Sequence, residues 1–161
     1  MCMKYVNANI QCFDENPIAF IGNTGFSHMI DSVKAKQKND KYIVGGFNIV
    51  VFINIRGTQK KDNPDNPLDS NKKMDFKIRL TKLNEDPGKQ ISYDLKEFNI
   101  DLSDKNIIHH GCFDYCERVE IINVEELMLN DSGAYVIKVL VKERDSEQYD
   151  VQMIHPLYVK E

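Results

Sequence analysis

The stretch from Leu127 to Val159 leaves the chain the fewest choices. Asp131-Ser132-Gly133-Ala134-Tyr135 opens the run Tyr135-Val136-Ile137-Lys138-Val139-Leu140-Val141. A polar turn follows, and a last apolar stretch ends in Pro156-Leu157-Tyr158-Val159. Side chains alternate between the faces of a strand, so Tyr135, Ile137, Val139 and Val141 share one face. β-Branched residues at that spacing, between a Gly-bearing turn and a Pro, predict a closing pair of strands.

The same period of two recurs upstream. Tyr5–Phe13 sets Val6, Ala8, Ile10 and Cys12 on one side and mostly polar residues on the other, a first strand with one wet face. Phe26–Val33 reads as a further short strand or a short helical turn, with the strand favoured. Lys34–Lys41 is polar and Lys-rich and is expected to be a solvated connector. Tyr42–Ile55 is the most apolar run. It places Phe47, Ile49, Val51, Ile53 and Ile55 opposite Val50 and Phe52, as in a central strand covered on both sides, with a bend at Gly45-Gly46. Met74–Leu83 and Lys89–Ile100, joined by Glu85-Asp86-Pro87-Gly88, predict a hairpin in which Ile91, Tyr93 and Leu95 keep register. Cys116–Leu129 alternates through Val119, Ile121 and Asn123, drifting toward Val124 and Leu127. No segment reads as a helix of three turns. The expected fold is one all-β domain over residues 1–161, an antiparallel β-sandwich of about seven to nine strands.

Asp-x-Gly-x-Tyr at a strand entrance resembles the tyrosine corner of immunoglobulin-like sandwiches, built here from Asp131, Gly133 and Tyr135. With the turn Gly22–Gly25, the long apolar strand, the hairpin and the terminal Pro-Leu-Tyr-Val, the layout resembles small bacterial and phage-associated β-sandwich proteins of immunoglobulin-like type. Antibody-type domains carry a disulfide Cys two positions after that Tyr and a core Trp. Ile137 occupies the first position here, and the chain has no Trp. The resemblance therefore implies an architecture and no activity.

Residues 57–73 contain Asn63-Pro64 and Asn66-Pro67 and a single large apolar residue, Leu68. A polar loop of that length reads first as a disordered segment or mobile hairpin tip and second as a candidate binding element, with Lys60, Lys61, Asp62, Asp65, Asp69, Lys72 and Lys73 as its charged groups. The Asp spacing is not that of a calcium loop. Lys34, Lys36, Lys38, Lys41 and Arg56 would extend a basic surface with the loop lysines, but the net charge of -4 weakens a nucleic-acid reading.

His109-His110-Gly111-Cys112-Phe113-Asp114-Tyr115-Cys116 holds the zinc-type donors. Structural zinc sites add a distant second ligand pair, which is missing, and on one strand these donors would be strung out rather than convergent. No Gly-x-Ser-x-Gly, phosphate loop, dinucleotide fingerprint or His-Glu-x-x-His occurs. Cys2, Cys12, Cys112 and Cys116 lack a nucleophile context, and His28 and His155 are isolated. Neither an apolar leader nor a membrane-length segment is present, so a cytoplasmic chain with reduced thiols is expected. The functional expectation is a non-enzymatic protein-interaction or assembly domain, with no catalytic residue, metal, cofactor or membrane and with a protein partner or self-association. The alternative is a ligand-binding module using the loops at the end of the sandwich.

Overall fold

The computed structural model describes residues 5–14, 29–57, 72–84, 86–102, 106–110 and 113–161. In chain order the strands are β1 (Val6–Phe13), β2 (Ser32–Lys34), β3 (Lys36–Lys38), β4 (Lys41–Val44), β5 (Phe47–Arg56), β6 (Lys73–Lys82), β7 (Ser92–Asp101), β8 (Ile108–His110), β9 (Phe113–Val124), β10 (Leu127–Leu129), β11 (Gly133–Glu143) and β12 (Asp150–Lys160). A four-stranded sheet, β1-β5-β9-β8, faces a five-stranded sheet, β2-β12-β11-β6-β7, and a three-stranded sheet, β10-β4-β3, lies at one end. The two large sheets make the expected all-β sandwich. The small third sheet is additional.

The strand order is immunoglobulin-like. Such sandwiches place strands A-B-E-D in one sheet and G-F-C-C′ in the other. β1-β5-β9-β8 and β12-β11-β6-β7 reproduce both sequences when these eight strands are lettered along the chain, with β2, β3, β4 and β10 left out as additions. β2 adds to β12 in parallel, with Val33 beside Val159. Just before it, Ile30 N donates to the Cys12 carbonyl at 2.8 Å, so the segment 29–34 crosses from one sheet to the other.

The core follows from the alternation. Phe47, Ile49, Val51, Ile53 and Ile55 of β5 meet Met74, Phe76, Ile78 and Leu80 of β6 and Tyr135, Ile137, Val139 and Val141 of β11 within one buried cluster. Each fully buried aliphatic side chain stabilises the fold by ~2 kcal/mol relative to exposure.

Four expectations need correction. Lys34–Lys41 is not a loop. It ends β2, forms β3 and turns through Asn39 and Asp40, both at positive φ (50° and 59°), into β4. Two consecutive left-handed residues make the tight hairpin turn that Asn and Asp tolerate best. Its lysines stay in water, so polarity alone concealed the strand.

Tyr42–Ile55 and Cys116–Leu129 form one antiparallel ribbon, because Phe47 faces Val124 and Val44 faces Leu127 in continuous register. The ribbon breaks at Gly45-Gly46 opposite Glu125-Glu126. Gly46 sits at φ +76°, and a Cβ on Gly45 would lie 1.9 Å from the Glu125 carbonyl oxygen. Only glycine fits that crossing. Nor is β5 covered throughout on its second face: Val50 is buried, but Phe52 is 41% exposed.

The phase of β9 is opposite to that expected for Val119, Ile121 and Asn123, while Val124, toward which the pattern drifts, is buried. Its inward residues are Cys116, Arg118, Glu120, Ile122 and Val124, paired with the inward face of β5, while Val119 is 53% exposed. Two charged residues at inward positions make the polar set look like the outer face, and a one-residue slip reverses every assignment. In the β6–β7 hairpin a bulge between Ile78 and Arg79 brings Tyr93, Lys96, Phe98 and Ile100 opposite Leu80, Ile78, Phe76 and Met74. Ile91 precedes the strand and is exposed.

Candidate interaction surface

The tyrosine corner holds the start of β11 in place. Tyr135 is buried, and its hydroxyl donates to the Asp131 carbonyl at 2.6 Å. Burial pushes its pKa up to about 12. Lys82 caps the same turn by donating to the Ser132 carbonyl, with its ammonium 5.0 Å from the Tyr135 ring centroid. Gly133, at φ +104°, leaves room for that ammonium, which would lie 2.7 Å from a Cβ. Asn130 N donates to the Tyr93 hydroxyl at 3.0 Å, which ties the corner to β7. These groups are structural, and they fix the end of the β11–β12 ladder.

Of the candidate loop, only Lys72 and Lys73 lie among the described residues; Lys60, Lys61, Asp62, Asp65 and Asp69 lie outside them. Lys72 pairs with Glu143 at 3.1 Å, and Tyr5 donates its hydroxyl to the same carboxylate oxygen at 2.9 Å. Lys73 opens β6 and is exposed. The His-Cys run is not a single strand. It folds back as a hairpin with His109 opposite Asp114 and His110 opposite Phe113, while Cys112 lies outside the described residues. Cys12 and Cys116 are buried free thiols. Burial pushes the Cys12 pKa up to about 12 and raises that of Cys116, so both are held as thiols rather than nucleophilic thiolates. His155 points inward from β12, opposite Ile137. Its Nε2 is buried without a hydrogen-bond partner among the described residues, and burial lowers its pKa against the opposing influence of Asp31.

The outer face of the five-stranded sheet has a different character on each side. On β6 and β7, Lys77 pairs with Glu97 at 2.7 Å and Arg79 with Asp94 at 2.5 Å. The bond to Arg79 chiefly holds the Asp94 pKa below the ordinary carboxylate value. Lys77 and Lys142 flank the Tyr149 ring at 5.1 and 5.2 Å from its centroid. On β11 and β12 the same face turns apolar. Val151 faces Leu140, Pro156 faces Val136 and Tyr158 faces Ala134, with Ile154 between them opposite Lys138. Ile154 and Tyr158 are 51% and 52% exposed, although each is large and apolar. The strip runs into an open groove of about 400 Å³ lined by Leu83, Ala134, Pro156 and Tyr158, with Asp31 and Lys160 also in its wall. Sequence reasoning placed these residues on strands but had no signal for the strip, because exposure depends on which neighbours cover a face.

The chain matches no protein-family model and no curated protein. Among solved structures it shows similarity to the CooA pilin subunit from enterotoxigenic Escherichia coli. The identity is 13%, covering 96% of this chain and 95% of that one, at a TM-score of 0.32. A likeness that slight carries no inference about this chain.

Proposed function

We propose that this chain is a non-enzymatic protein-interaction or assembly domain, working in the cytoplasm, whose contact surface is the outer face of β11 and β12. One observation carries the reading. Val151, Ile154, Pro156 and Tyr158 form an apolar strip along β12, flanked by Lys138 on β11 and separated by that strand from the ion pairs of β6 and β7. Exposed apolar patches with a polar rim mark protein contacts more often than chance exposure does. A partner that fits brings an uncharged apolar centre, because a charged one would strand its own charge over the strip.

Capture from lysate with tagged wild type and with Ile154→Lys tests this. A protein retained stoichiometrically by wild type and lost with I154K, at equal melting temperature, is the expected result. Identical captures by the two forms would remove the strip from the function.

A further inference from the structure

Among the described residues, Glu117–Asn123 on β9 has no strand beside it on its outer side, as is also true of β1, β7 and most of β12. Gly57 N donates to the Asp114 carbonyl at 2.8 Å, which fixes the hydrogen-bonding parity of the β5–β9 ladder. The even residues of β9 bond to β5. The backbone groups of Glu117, Val119, Ile121 and Asn123 point the other way. β8 uses that edge only as far as Tyr115, which faces Ile108. At the other end the ribbon bends away at Glu125 into the small sheet.

We infer that this edge pairs with the same edge of a second copy, antiparallel about a two-fold axis at Glu120. That register suits the molecule in three ways. Val119 falls opposite Ile121 twice, a cross-strand pair of β-branched residues of the kind that stabilises sheets. Glu117 falls opposite Asn123 twice, placing a carboxylate beside an amide donor. The two limits of the free edge also map onto each other, so the partner's strand bends off at its Glu125 just where β8 begins. The two Glu120 side chains meet at the axis, each already held by Lys96 at 2.6 Å and Arg118 at 2.6 Å. Because the interface is isologous, it closes at a dimer. It joins β1-β5-β9 of both copies into one sheet and leaves the β11–β12 strip free, so it stands independently of the function proposed above.

Sedimentation equilibrium over a dilution series tests the pairing, using wild type, Val119→Pro, Val119→Lys and Ile154→Lys. Proline at 119 removes a donor that faces the open edge and leaves the β5 ladder intact. Wild type and I154K are expected to dimerise reversibly, and V119P to self-associate at least ~10-fold more weakly while keeping its β-sheet circular dichroism. If V119P fails to fold, V119K decides, since an edge lysine opposes pairing without touching the backbone. A wild type that stays monomeric, or a dimer that survives in the folded Val119 variants, would overturn the proposal. Loss of the dimer in I154K alone would do the same and assign it to the strip.

Discussion

The five-stranded sheet carries bulges in two of its ladders, between Ile78 and Arg79 and between Val139 and Leu140, whereas the β5–β9 ladder runs without one from Phe47 to Arg56. The contrast extends to the edges. On the five-stranded sheet, β7 bears Asp94 and Glu97 outward and turns Lys96 inward; β12 places a proline at 156. Bulges, inward charges and edge prolines all discourage a further strand. The four-stranded sheet has a regular edge on β9, guarded only by inward Arg118 and Glu120, and those charges are already satisfied. Each sheet therefore offers something different: an outer face on one, an edge on the other.

The contrast can be broken most severely at Gly45. Gly45→Ala places a methyl against the Glu125 carbonyl, where no side chain can yield, and should cost more than ~4 kcal/mol or prevent folding. Denaturant titration reads this. A near-neutral G45A would mean that the ribbon can shift at its kink and that the edge register is soft.

Glu120→Gln comes next. Its carboxylate is 6% exposed and links Lys96 of one sheet to Arg118 of the other. Breaking a buried pair costs 3–5 kcal/mol, but both partners are partly exposed, so ~2 kcal/mol is expected from urea unfolding. Burial raises the Glu120 pKa, while Lys96 and Arg118 lower it further, for a net depression. The stabilisation is therefore present above the ordinary carboxylate value and fades as acid takes the pH down through the depressed one. E120Q should flatten that acid limb.

Tyr135→Phe removes the corner hydrogen bond and leaves the Asp131 carbonyl without it, a loss of ~1 kcal/mol by thermal melting. An unchanged melting temperature would show that packing of the ring holds the corner alone. The smallest effect belongs to His155. Burial lowers its folded pKa, so the unfolded chain binds the proton first, and stability falls as pH drops below the ordinary value of 6.5. His155→Leu should remove that limb while leaving stability near pH 8 little changed. Retention of the limb in H155L would assign it elsewhere.

Much of the framework was legible in the sequence because period-two patterns were clean on β1, β5, β6 and β11. The Asp131–Tyr135 turn carried its own chemistry. Two of the hidden features shared a cause, polar residues in positions that the fold defines. Lys36–Lys38 looks like a connector because a fully exposed strand has no apolar face to read. Arg118 and Glu120 inverted the phase of β9, since an ion pair spanning two sheets cannot be inferred from one strand. The apolar strip of Val151, Ile154, Pro156 and Tyr158 was invisible for the converse reason: alternation shows that two faces differ, and only the packed structure shows that the second face stays bare.

Amide hydrogen exchange on β9 tests the account most directly. In dilute solution the amides of Glu117, Val119, Ile121 and Asn123 should exchange rapidly, while those of Arg118, Glu120 and Ile122 stay protected by β5. Raising the protein concentration should then protect the odd-numbered set. Protection of both sets at every dilution would contradict the account, because the edge would already be covered within a single chain.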